Sequence, residues 1–168
     1  MTALFEIGPG DVADTSNDCY TPRWIFDAAG LMFDMDVSAP VDPARRVCPA
    51  ASYLTPVEDG LSTPWEGLVW MNPPYAGSAL WADRFAAHSC GMALVPCWGR
   101  HIWRARLLSR ADAMALVWAE FTRPDGSKME PVAPCVLMGC GPVAAAAVAR
   151  VAAADKYAQG AYHVRPAG

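Results

Sequence analysis

Asn72-Pro73-Pro74-Tyr75 is the segment of this chain whose residue types can do chemistry together. It follows directly on Leu68–Met71, an apolar run that reads as a buried strand. Two successive prolines force an extended backbone and leave carbonyls without local partners, free to face a pocket. An asparagine amide accepts through oxygen while donating through nitrogen. The Asn72 oxygen and the Pro73 carbonyl, placed on the two hydrogens of an amine whose lone pair is delocalised into a ring, would localise that pair. The amine could then attack an electrophilic methyl group in line, by electrostatic preorganisation and without a strong base. Tyr75 supplies a flat face on which a ring can stack. The plainer reading of the same tetrapeptide is a stiff loop after a strand.

The flanking elements are those that place loops at one edge of a sheet. Thr21-Pro22 reads as a helix start, with Thr21 as N-cap and Pro22 at the first helical position. Trp24, Ile25, Ala28, Ala29 and Met32 follow at helical spacing, and Gly30 weakens the end. Phe33 to Val37 reads as a short strand ending near Asp36. Five prolines between residues 40 and 64 exclude a long regular element there. The pattern then predicts strands over Leu68–Met71, Met92–Val95, Ala113–Phe121 and Pro134–Met138, and helices over Ser78–His88, Ile102–Ser109 and Val143–Tyr157. Pro124-Asp125-Gly126 marks a tight turn. The alternation predicts an α/β fold with a sheet parallel in its centre, helices on both faces, and the 113–138 hairpin as an antiparallel edge. Ligands of such sheets bind outside the carboxyl ends of strands, where Asn72 falls.

Composition narrows the class. The chain has 168 residues, 54% of them apolar and 18% charged, with seven tryptophans, which fits one domain with a substantial core. No apolar stretch approaches the roughly 20 residues of a membrane span. Residues 1–18 have two glycines, four acids and no period, and read as a mobile arm before a domain over 19–168. The N-terminus lacks a basic stretch, so the six cysteines read as reduced thiols of a cytoplasmic protein. The spacing of Cys97 and His101 with His88 and Cys90 matches no common zinc site, and no metal is expected. The tryptophans at 65, 70, 81, 98, 103 and 118 read chiefly as core.

Several motifs in order resemble one family. These are Thr21-Pro22 with Trp24 and Phe26, Phe33-Asp34-Met35-Asp36-Val37-Ser38-Ala39, and Asp59-Gly60-Leu61 followed by Trp65. The series continues through Val69-Trp70-Met71-Asn72-Pro73-Pro74-Tyr75, Trp81, Leu94-Val95-Pro96 and Trp103. Across roughly residues 20–120 the chain resembles the phage-type (Dam-like) DNA N6-adenine methyltransferases. The resemblance implies a reduced, single-domain Rossmann-like methyltransferase of a bacterial or phage-infected cell. It implies S-adenosyl-L-methionine as cofactor, S-adenosylhomocysteine as product and adenine N6 in DNA as acceptor. Asn72, Pro73, Pro74 and Tyr75 would be catalytic. Tyr20, Thr21 and Pro22 would form the upstream cofactor motif with Leu61 nearby, Asp36 would approach the methionine part, and Asp59 would bond the cofactor's adenine. Without the resemblance, Thr21 is a helix cap, Asp36 a strand-end carboxylate and Asp59 a turn acid.

Ser38-Ala39-Pro40 stands where many methyltransferases carry a Gly-rich loop, which the resembled family itself often lacks. The Gly-Arg pair that this family often carries is missing from Trp118-Ala119-Glu120-Phe121. The net charge of −4 opposes nucleic-acid binding, whereas Arg100, Arg104, Arg106 and Arg110 crowd one segment beside His101. On a DNA-binding protein those arginines are the candidate phosphate contact; otherwise they are a solvated helix face. The same tetrapeptide also suits methylation of cytosine N4 or a protein glutamine, or a catalytically idle relative that only binds DNA or protein.

Overall fold

The central strands of this protein bury both faces, and that burial requires helices on each side of the sheet. In the computed structural model, which describes residues 19–74, 77–97, 102–131, 133–157 and 161–163, the first helix α1 spans Arg23–Ala29. Strand β1 (Phe33–Asp36), a short 3-10 turn over Pro43–Arg45 and strands β2 (Ala50–Tyr53) and β3 (Val69–Met71) follow. Then come α2 (Ser78–His88), β4 (Gly91–Pro96), α3 (Trp103–Leu108) and β5 (Ala113–Val117). A small ribbon, β6 (Phe121–Thr122) and β7 (Lys128–Met129), precedes β8 (Cys135–Cys140), α4 (Pro142–Ala154) and β9 (Ala161–His163).

The main sheet has the order β2-β1-β3-β4-β8-β5-β9. Strands β2, β1, β3 and β4 pair in parallel, and β8 and β9 run against the other five. The fold is therefore α/β with a mostly parallel sheet. Alternate side chains separate two cores, as the two-residue period of a strand requires. Trp70, Met92, Leu94 and Leu137 point to the face covered by α1 and α4, where Ile25, Phe26 and Val148 complete the layer. Met71, Ala93, Val95 and Met138 point to the opposite face, against Trp81 and Phe85 of α2 and Leu107 of α3.

Several boundaries differ from those read off the sequence. Thr21 does not cap α1: the extended residue before the helix is Pro22 (φ −66°, ψ 138°), and no side chain caps it. The Thr21 hydroxyl is drawn instead to Asn72. Gly30 ends α1 in the left-handed conformation (φ 58°), so Met32 lies beyond the helix and is 70% exposed. Strand β5 stops at Val117 rather than continuing to Phe121, because the Asp155 carboxylate takes the Trp118 N–H at 2.8 Å. The antiparallel pair is not an edge hairpin. All six residues of β8 are buried, and it lies between β4 and β5 while β9 takes the edge. Strand β2, in the proline-rich stretch, owes its form to pairing with β1 rather than to its own residues, Ala-Ala-Ser-Tyr. No helix among the described residues is long and apolar enough to cross a membrane.

Candidate active site

From β1 the chain goes to β2 on one side and returns to β3 on the other, so the connections diverge between β1 and β3. Such a switch point opens a crevice at the carboxyl ends of the two strands. Asp36 is the last residue of β1, and Asn72 follows the last residue of β3. Both line a cavity of about 420 Å³, within the roughly 300–1,000 Å³ of small-molecule sites.

The cavity gathers most of the residues that the sequence singles out. Tyr20, Thr21, Asp36, Asp59, Leu61, Asn72, Pro73 and Pro74 line it, alongside Phe26, Val37, Leu54, Trp70 and Trp81. Pro22 faces a neighbouring open groove, of which Tyr20, Thr21, Arg45 and Val47 form the shared wall. Tyr75 and Arg100 lie outside the described residues, as do Trp98, His101 and the arm over residues 1–18.

Asp36 is 4% exposed, and its Oδ1 accepts from the Ser38 N–H at 3.2 Å. Burial raises its pKa to about 7, against the opposing pull of that hydrogen bond and of the Arg46 guanidinium. A carboxylate so desolvated favours a cationic ligand. Cys48 is buried beside it, and burial together with the Asp36 charge pushes its thiol far above the usual range.

Asn72 is held on three sides. Its backbone N–H donates to Ser38 Oγ at 3.0 Å. Its side-chain Nδ2 donates to Thr21 Oγ1 at 3.0 Å and to the Cys19 carbonyl at 3.3 Å. Among the described residues, neither Asn72 Oδ1 nor the Pro73 carbonyl receives a hydrogen bond. Two acceptors at the cavity wall are thus left for a ligand. Sequence reasoning missed the parts played by Ser38 and Cys19. The bond from the Ser38 N–H to the Asp36 carboxylate follows from local spacing, whereas the Ser38 hydroxyl and the Cys19 carbonyl reach Asn72 only through long-range packing.

The opposite wall is the turn over residues 59–62. Asp59 is exposed at φ 53°, and its carboxylate accepts from Leu61 N at 3.0 Å and Ser62 Oγ at 2.8 Å. Gly60 lies so close to β1 that an added Cβ would fall 2.0 Å from the Val37 carbonyl oxygen and 2.7 Å from the Trp81 ring. Trp65 braces the turn by donating to the Gly60 carbonyl at 2.7 Å while stacking on Trp81 at 6.1 Å between centroids. Arg84 adds a hydrogen bond to the Leu61 carbonyl at 2.6 Å. Trp70 and Trp81 are core residues, as expected, whereas Trp65, Trp103 and Trp118 are half-buried.

Of the four arginines singled out, Arg106 and Arg110 are exposed and Arg104 is half-buried. Arg104 turns inward to the Cys97 carbonyl, with its guanidinium 5.8 Å from the Trp103 ring centroid. Arg106 reaches across to α2 and binds Asp83 at 2.6 Å. Arg110 is exposed and takes part in no ion pair among the described residues. Helix packing explains the pair: with Leu107 buried against α2, its neighbour Arg106 is carried to the exposed acid on that helix. All six cysteines are free thiols, and no cluster of three or more metal-ligating side chains occurs among the described residues. No family model, curated protein or solved structure matches the chain.

Proposed function

We propose that this protein is an S-adenosyl-L-methionine-dependent methyltransferase with a Rossmann-like sheet, acting on the exocyclic N6 amine of adenine in DNA. The observation that carries the reading is the Asn72 amide, held with its oxygen free, at the wall of a cavity that also contains the buried Asp36 carboxylate. When bound, the cofactor supplies a methyl group on a positively charged sulfur. The buried acid, the apolar walls and the cavity volume suit that group. Asp36 would face its cationic methionine part, and Asp59 and Leu61 would lie against the adenosine. Asn72 Oδ1 and the Pro73 carbonyl would each accept one hydrogen of the target amine, so that its lone pair lies free on nitrogen. Water would be excluded by Phe26, Val37 and Trp70, which strengthens both hydrogen bonds.

The test is nucleoside mass spectrometry of DNA incubated with the purified protein and cofactor. N6-methyladenine is the expected product, and its absence overturns the substrate assignment. Asn72→Ala should lower turnover by roughly 10²–10³, the scale of losing one stabilising group at a reacting centre. Cofactor binding should persist in that variant. A second reading, a protein glutamine amide as acceptor, is favoured by the net charge of −4 and by the inward turn of Arg104 to the Cys97 carbonyl. Methylated glutamine in place of methylated adenine would establish it, and a protein that binds cofactor without any product would be an idle relative.

A further inference from the structure

We infer that Thr21 and the Cys19 carbonyl form a clamp that fixes which way the Asn72 amide faces, and that this clamp requires asparagine rather than aspartate at position 72. The two ends of an asparagine amide are nearly the same size, so sterics alone do not choose between them. Turned over, Asn72 would present its NH₂ to the ligand, and a donor cannot accept a hydrogen from an amine. The Cys19 carbonyl, 3.3 Å from Nδ2, makes the choice because it only accepts; an oxygen in that place would face it with no proton between them. The Thr21 hydroxyl, 3.0 Å from Nδ2, holds the rotor in that orientation.

The clamp is itself braced. Thr21 is 6% exposed. Tyr20 exchanges two backbone hydrogen bonds with Thr122 of β6, at 2.9 and 3.1 Å, so the segment over residues 19–21 is tied to the ribbon. The Arg45 guanidinium lies 5.2 Å from the Tyr20 ring centroid and reaches the Arg123 and Pro124 carbonyls of the same ribbon. Thr21 is thus a positioning residue acting through Asn72. A carboxylate at position 72 would set an oxygen against the Cys19 carbonyl and add negative charge to a cavity that already holds Asp36.

The role of the amide in turnover rests on the methyltransferase reading, whereas the orientation of the amide does not, and the experiment separates them. In the full ¹⁵N-labelled chain, the Asn72 side-chain amide signal is assigned by its loss in Asn72→Asp. Thr21→Val should move that signal upfield and speed its exchange with water, and Thr21→Ser should restore both. With the methyl acceptor, Thr21→Val should lower kcat by about tenfold or more with the cofactor KM little changed, and Thr21→Ser should recover most of it. Asn72→Asp should lose turnover despite its near-identical shape. An unmoved amide signal in Thr21→Val, a Thr21→Ser variant as impaired as Thr21→Val, or a fully active Asn72→Asp would each overturn the clamp. If the wild-type chain methylates nothing, the proposed function fails and the amide signal alone decides the clamp.

Discussion

Asp36 shows how one buried group ties stability to ligand chemistry. An unfolded aspartate ionises near 3.8, whereas in the folded chain Asp36 keeps its proton up to about 7 because burial disfavours the charge. Between those values the folded state binds the additional proton, so stability falls as pH rises through this window and levels off above about 7. Asp36→Asn can keep the bond from Ser38 N through its amide oxygen and has no charge to desolvate. Thermal melts of the variant should therefore show a higher Tm than wild type at pH 8, by on the order of 1–3 kcal/mol of stability, and little difference at pH 4. A cationic ligand reverses the preference by favouring ionised Asp36. Wild-type affinity for S-adenosyl-L-methionine, measured by calorimetry, should rise as pH climbs through about 7, and Asp36→Asn should lose both the rise and much of the affinity.

The element that shapes the far wall of the cavity is the turn at Asp59-Gly60-Leu61, and its sequence is dictated by close approach. Gly60 packs against the Val37 backbone and the Trp81 ring with no room for a methyl group. The Trp65 indole and the Arg84 guanidinium then pull the Gly60 and Leu61 carbonyls against the same core. Gly60→Ala must displace the turn from the end of β1, since the backbone oxygen of Val37 cannot yield. Destabilisation of about 1–3 kcal/mol in urea unfolding is expected, the usual range for overpacking. Cofactor affinity should fall with it. Gly126→Ala is the contrasting control: that glycine has a positive φ, 85°, which Gly60 does not, but its Cβ would meet nothing within 4 Å, and it lies in the β6–β7 turn. It should lose a little stability through backbone strain and leave cofactor binding intact.

At the scale of the molecule, the three-layer arrangement decides which charges remain available to a polyanion. Packing α3 on α2 commits Arg106 to Asp83, and Arg104 folds back on the strand end before α3. DNA binding, if it uses this face, should therefore draw on Arg110 more than on Arg106. Replacing Arg106 and Arg110 together by alanine should make the dependence of log affinity on log salt shallower by about one phosphate contact rather than two. Arg110→Ala alone should account for nearly all of the change. A double variant that loses two contacts would show that Asp83 releases Arg106 to DNA.

Much of the fold was legible because local rules and tertiary demands agree. The strands ending at Asp36 and Met71 and the helix over Ser78–His88 are bounded by glycine, proline and apolar periodicity, which act within a few residues. Their order implied an α/β sheet and placed Asp36 and Asn72 at strand ends, where the cavity lies. Elements built from long-range pairing were not legible. Strand β2 exists because β1 offers it a ladder, and β8 moved into the sheet because only there are both of its apolar faces covered. The same distinction holds at the site. The chemistry available to Asn72 follows from its type and its prolines. The direction its amide faces depends on a carbonyl 53 residues away, and the apparent helix cap Thr21 holds it there. A hydrogen bond across such a separation leaves no period or spacing in the chain, so only the folded backbone could decide it.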